Sequence, residues 1–227
     1  MFEISPSWKF NYPDAHAGVL VLRGASNPAH HADLEKRKGD LEARLREKFS
    51  GLDRAALLQL PELNAYDAYY SRFKKTYHIQ LQLESIVFKG KSIPAVAGLV
   101  EAMFMAEMED RMLTAGHDLD SLKLPLTLDV ARGVEAYTLL RGTEQALKAG
   151  DMFIRDGEGV ISSIVYGPDS RTQIRPETKN AVFTAYAPAG IPAAAVKIHL
   201  EHIRDNVLCF APDATTEMLE VFGGQGV

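Results

Sequence analysis

Three short strings in this chain carry side chains able to do chemistry. Thr114-Ala115-Gly116-His117-Asp118-Leu119-Asp120 sets a histidine between a glycine and two carboxylates. A free histidine titrates near neutral pH, so His117 can orient a water or exchange a proton. The same string also reads as a turn in which Asp118 and Asp120 cap backbone amides and His117 satisfies its neighbours. Asp169-Ser170-Arg171-Thr172 follows a strand-like run. There Asp169 can hold an ammonium group or a water, or the four residues form a polar turn after Gly167-Pro168. Lys74, Lys75, His78, Lys89 and Lys91 form the densest basic cluster. Lysines so grouped can hold phosphates, which set position rather than specificity; for each one alone, a solvated surface charge is the other reading.

Composition narrows the chemistry. The 227 residues are 46% hydrophobic and 24% charged, which suits a soluble globular protein with enough core to need no staples. The single cysteine, Cys209, excludes an internal disulfide and a zinc-thiolate cluster, and its apolar neighbours predict burial. Seven histidines show no ligand spacing, and His30-His31 is an adjacent pair on an expected helix, where neighbours point apart. No metal and no cofactor is implied. No phosphate-loop or nucleophile-triad signature occurs. A net charge of −5 argues against avid nonspecific nucleic-acid binding, and so against a DNA partner, while leaving room for a local basic patch. The N-terminus lacks a basic region followed by an apolar one, and no apolar run reaches membrane-spanning length. The expectation is a cytoplasmic protein with no membrane partner.

The elements that must position these strings are legible in part. Gly18 to Gly24 is an apolar run between glycines, hence a buried strand. Asn27 can cap a helix that Pro28 opens, with Leu34, Leu41, Leu45 and Phe49 on one face and charged residues, Lys38 among them, on a solvated one. Residues 52–60 and 64–73 read as short helices separated by Pro61, the second bearing Tyr66, Tyr69, Tyr70 and Phe73 as core. Helices are expected over 78–88, ending at Gly90, and over 95–113. From Leu126 the pattern turns to strands, at 126–130, 137–140, 151–155, 160–166 and 180–186, with a turn at Asp156-Gly157-Glu158-Gly159. Ile191-Pro192 opens a last helix with Val196, Leu200, Ile203 and Val207 on one face. Helices first, strands after and one returning helix predict an α+β fold of mixed and antiparallel sheets packed with helices.

Taken in order, these residues resemble the editing module of the bacterial phenylalanyl-tRNA synthetase β-subunit, and more closely the free-standing proteins built from that module. The likeness rests on Tyr12-Pro13 with the strand Gly18 to Gly24, on Leu83-Glu84-Ser85 with Lys89-Gly90-Lys91-Ser92-Ile93-Pro94, and on Gly116-His117-Asp118-Leu119-Asp120. Gly150 to Asp156, Ser170-Arg171-Thr172 and Glu177-Thr178 complete it. It implies one domain over 1–227, with a helical and strand part over 1–80 and a core over 81–227. No ATP-binding, amino-acid-activating or anticodon-binding part is present, so a ligase activity is not implied.

The resemblance implies a trans-acting deacylase that binds the acceptor end of tRNA and hydrolyses a wrongly attached aminoacyl ester. Such a site places a water, stabilises an oxyanion and excludes the correct amino acid, with no covalent nucleophile required. It makes His117 and Asp169 the catalytic candidates, and Lys74, Lys75, Lys89, Lys91 and Arg171 the RNA contacts. Two departures fall near the pocket. Glu101 and Phe104 stand where the family often carries Asp and Asn, and Tyr166 lies in a strand where free-standing members carry tryptophan. Glu101, Phe104 and Tyr166, with Ser170, Thr172 and Thr178, are therefore the candidate substrate-binding residues. A noncatalytic RNA-binding module, or a small-molecule pocket protein on the same fold, are the other functions the sequence allows.

Overall fold

A computed structural model describes residues 1–223. In chain order the elements are β1 (Phe2–Ile4), α1 (Pro6–Asn11), β2 (His16–Arg23), α2 (Ala32–Lys48), α3 (Arg54–Leu57), α4 (Pro61–Ser71), α5 (His78–Lys89) and α6 (Gly98–Asp110). There follow β3 (Leu113–Asp118), a 3-10 turn (Leu119–Ser121), β4 (Leu126–Val130), β5 (Ala136–Thr138), β6 (Glu144–Ala146) and β7 (Met152–Arg155). The chain continues through β8 (Val160–Ser163), β9 (Gly167–Pro168), β10 (Ala181–Ala187), α7 (Ala193–Leu208) and β11 (Thr215–Gly223). The fold is α+β. One antiparallel sheet has the order β11-β2-β10-β3; a mixed sheet runs β1-β4-β7-β8-β9, with β1 parallel to β4; β5 and β6 form a small ribbon.

The apolar run of β2 is buried: β10 and β11 cover its two edges, and α7 packs across the sheet. Val196, Leu200, Ile203 and Val207 are fully buried, as their helical spacing predicts. Leu34, Leu41, Leu45 and Phe49 are buried on α2, and the aromatic residues of α4 are core. One continuous core joins residues on both sides of position 80.

Several elements differ from the sequence reading. Asn27 and Pro28 do not open α2, which begins at Ala32. The Asn27 side chain instead accepts the Leu99 N–H at 2.9 Å, so it caps α6 from a distance, and the Pro28 carbonyl accepts the Gly98 N–H at 2.9 Å. Two short helices do lie there, α3 and α4, but Pro61 is the first residue of the second rather than a residue between them, because a first-turn proline forgoes no helical hydrogen bond. The helix expected to reach Leu113 stops at Asp110, where Arg111 turns left-handed at φ 59°. The string read as a turn is therefore strand β3 as far as Asp118, and only its end turns, where the Asp118 side chain caps the Asp120 N–H. Lys38 is buried, not solvated: its Nζ meets Glu101 Oε2 and Glu35 Oε1, each at 2.9 Å. Cys209 is half-buried. β1, α1, β6 and β11 were not foreseen. Both β1 and β11 have one intact neighbour to pair with, which decides their conformation more than their composition does.

Candidate functional site

β3 is covered by β10 along one edge and is open along much of the other, where the His117–Gln173 bridge lies. N–H groups of an antiparallel strand alternate in direction. The Thr114 N–H leaves the sheet to meet Glu107 Oε1 at 2.8 Å, and the Asp118 N–H meets the Thr172 carbonyl at 2.8 Å. Gly116, between them, directs its N–H the same way. On that side lies a cavity of about 290 Å³. Its walls are residues 113–116 of β3, the α6 residues Val100, Met103, Phe104 and Glu107, and Ser163, Pro168 and Ile174 from the mixed sheet and the segment after it. His78, Gln82 and Leu140 also line it. Gly116 is tightly packed: a Cβ there would lie 2.9 Å from Ile174 Cδ1 and 3.3 Å from Met103 Sδ and Phe183 Cε1.

Two buried polar systems support this wall. Burial pushes the Glu107 carboxyl up to about 8, against the opposing pull of the Thr114 N–H. Thr114 Oγ1 lies 2.6 Å from His199 Nε2, whose Nδ1 lies 2.9 Å from Asp110 Oδ2. His202 Nδ1 shares that carboxylate at 2.9 Å. Burial opposes ionisation of Asp110, but the hydrogen bonds from His199 and His202 win and hold it at about 2. None of Glu107, His199 and Asp110 was singled out from sequence. The one usable signal was the pair of glutamates, Glu101 and Glu107, on the inward side of the apolar α6.

The residues expected to act do converge, but behind the wall rather than in the cavity. His117 is fully buried and does not line the cavity. Its Nδ1 lies 2.8 Å from Thr172 Oγ1, its Nε2 has no partner among the described residues, and burial drives it down to about 3, so it is neutral. Thr172 in turn donates to Asp169, which is buried and raised in pKa by that burial. Thr178 donates to Asp118 Oδ2 at 2.8 Å, while Asp118 Oδ1 takes the Asp120 N–H at 3.0 Å. Ser170 donates its N–H to the Thr138 carbonyl at 2.9 Å. These contacts staple the segment 169–178 to the end of β3, and they thereby seat Gln173 and Ile174 at the cavity. Of the expected substrate contacts, Phe104 lines the cavity; Glu101 does not, being committed to Lys38 and to the Val96 N–H at 2.7 Å.

The cations divide as well. Lys75 lies over the Tyr166 ring at 5.6 Å, and both line a shallow depression with Arg141 that shares Leu140 and Pro168 with the cavity. Lys91 lines a groove on another side that shares Gln82 and Phe104 with it. Lys74 and Lys89 are exposed and line neither. Arg171 is not a free cation: it pairs with Asp156 at 2.8 Å and Glu158 at 3.2 Å. Among the described residues no group of three or more His, Cys, Asp or Glu could hold a metal ion, and no helix is long and apolar enough to cross a membrane.

An α+β protein with a cavity on the free edge of a sheet is the class that fold and site define. In its fold the chain is similar to an N-terminal fragment of the phenylalanyl-tRNA synthetase β-subunit from Pyrococcus horikoshii, with a TM-score of 0.52 and 12% identity, covering 97% of this chain and 53% of that one. The chain thus spans about half the length of that fragment, and at this identity the likeness is one of fold. No protein-family model matches the sequence. No curated protein matches it either.

Proposed function

We propose that this protein hydrolyses the ester of aminoacyl-tRNA in trans. The observation that carries the reading is the setting of the cavity: apolar walls closed against a free strand edge, with Lys75 and Arg141 on one flank and Lys91 on another. The aminoacyl side chain would fill the cavity, the terminal ribose would sit near His78 and Gln82, and the phosphates would meet the flanking cations. The Gly116 N–H would donate to the carbonyl oxygen as negative charge develops there. A water adds to the carbonyl carbon, the ester C–O bond breaks, and the ribose oxygen leaves as a hydroxyl. His117 and Asp169 act here as positioning residues, since they hold the wall and do not border the cavity. The likeness in fold to a synthetase fragment is compatible with this reading, which implies a cytoplasmic protein.

The test is release of amino acid from a panel of mischarged tRNAs, beginning with aromatic and small amino acids. Catalytic turnover of one class supports the proposal. Absence of turnover across the panel overturns it; salt-dependent tRNA binding would then favour a noncatalytic RNA-binding module, and no binding a small-molecule pocket protein.

A further inference from the structure

Glu107 is a carboxyl that folding has stranded. It is 2% exposed, yet among the described residues its one hydrogen bond is to the Thr114 N–H, and none of their lysines or arginines lines the cavity it borders. An unpaired buried carboxyl is costly, and proteins usually pair such a group or replace it. By contrast the buried Glu101, on the same helix, has Lys38. The titratable groups around Glu107 do not relieve it. Tyr66, Tyr70 and Tyr77 are phenols held protonated by burial, and the charge of Glu107 itself adds to that effect. Beyond Thr114, His199 is engaged by Thr114 and Asp110, and His202 by Asp110. His78, crowded by its neighbours although part of its ring meets solvent, is lowered in pKa and so is no strong cation.

We propose that Glu107 receives the ammonium group of the ligand, so that the cavity selects an apolar body carrying a primary amine. The apolar part packs on Val100, Met103, Phe104 and Ile174, and the amine supplies the positive charge this wall lacks. The proposal rests on the cavity being the substrate site and deepens that reading: the amine would be the free α-ammonium of the aminoacyl group. N-blocked acyl groups would be refused. Near neutral pH the carboxyl is protonated when the cavity is empty, so binding an ammonium expels that proton to solvent.

The test is calorimetric titration of the whole protein at pH 7 with leucinol and phenylalaninol, and with their N-acetyl derivatives, in buffers of differing ionisation enthalpy. The expected result is binding of the free amines about tenfold or more tighter than the acetylated forms, as a buried charge-assisted contact should give. About one proton should be released per amine and none per acetylated form. Glu107→Gln should abolish both the preference and the proton release. Equal affinity of amine and acetylated amine, an unchanged Glu107→Gln variant, or no binding of either would overturn the proposal. Should Glu107→Gln fail to fold, NMR titration of the wild-type side-chain carboxyls decides, since leucinol must lower one strongly raised carboxyl pKa. Amine binding with proton release but no deacylation would sink the hydrolase reading alone. Deacylation with no preference for a free amine would sink this inference alone.

Discussion

Thr114 Oγ1 sits 2.6 Å from His199 Nε2, so the strand that walls the cavity is tied through a buried imidazole to the last helix. His199→Ala leaves Thr114 and Asp110 short of a buried partner. The expected cost is roughly 2–4 kcal/mol of stability, read as a lower denaturant midpoint with unchanged slope. Deacylation should fall with it, because the wall loses its anchor.

Lys38 and Glu101 form a buried ion pair at 2.9 Å with both side chains nearly inaccessible. Removing one partner strands a charge, so Lys38→Met alone should destabilise by about 3–5 kcal/mol. The double variant Lys38→Met/Glu101→Leu should recover much of that loss. Urea unfolding of the two single variants and the double one measures the coupling.

Glu107 also sets a pH dependence. Its folded pKa of about 8 lies above the ordinary 4.5, so the folded state holds a proton that the unfolded state has released. Stability is therefore greatest below the unfolded value and falls as pH rises toward 8, at roughly 1.4 kcal/mol per pH unit at the steepest. Asp151, raised to about 7 by burial, adds to the same slope. Unfolding curves from pH 5 to 9 should show a shallower decline for Glu107→Gln, and that variant should overtake the wild type at the alkaline end.

Gly116→Ala places a methyl 2.9 Å from Ile174 Cδ1 and 3.3 Å from Met103 Sδ. Both are flexible side chain ends, so the protein should fold, with a loss of about 1–2 kcal/mol. The cavity shrinks where the carbonyl would sit. Deacylation should drop at least about tenfold while circular dichroism is unchanged.

Lys75→Glu/Lys91→Glu reverses charge on both flanks of the cavity without touching its walls. The apparent KM for aminoacyl-tRNA should rise, kcat should change little, and the salt dependence of binding should weaken by about one to two counterions. Arg171→Gln should behave otherwise: it frees Asp156 and Glu158 and lowers stability rather than tRNA affinity.

The sequence made most of the scaffold readable where one periodicity dominated. The α7 face from Val196 to Val207 and the strand around Val19 to Leu22 are as their patterns indicate. Short elements were not readable, because partners decide them: Phe2–Ile4 is a strand only since β4 lies beside it. The site was legible as a neighbourhood and not as a set of contacts. His117, Asp169 and Thr172 do meet, with Thr178 on the neighbouring Asp118, but a strand alternates its side chains, and the alternation turned His117 away from the cavity while leaving Gly116 beside it. Lys38 and Glu101, 63 residues apart, could not be paired from spacing alone.

The place of β2 has a consequence for how the protein is made. Its residues emerge from the ribosome long before the strands that flank it, Ala181–Ala187 and Thr215–Gly223. A nascent chain that has not yet reached Ala181 carries an apolar strand with both edges bare. Such distant pairings slow folding and leave sticky edges waiting, so yield should depend on translation speed and on chaperones that shield β2 until those two strands arrive.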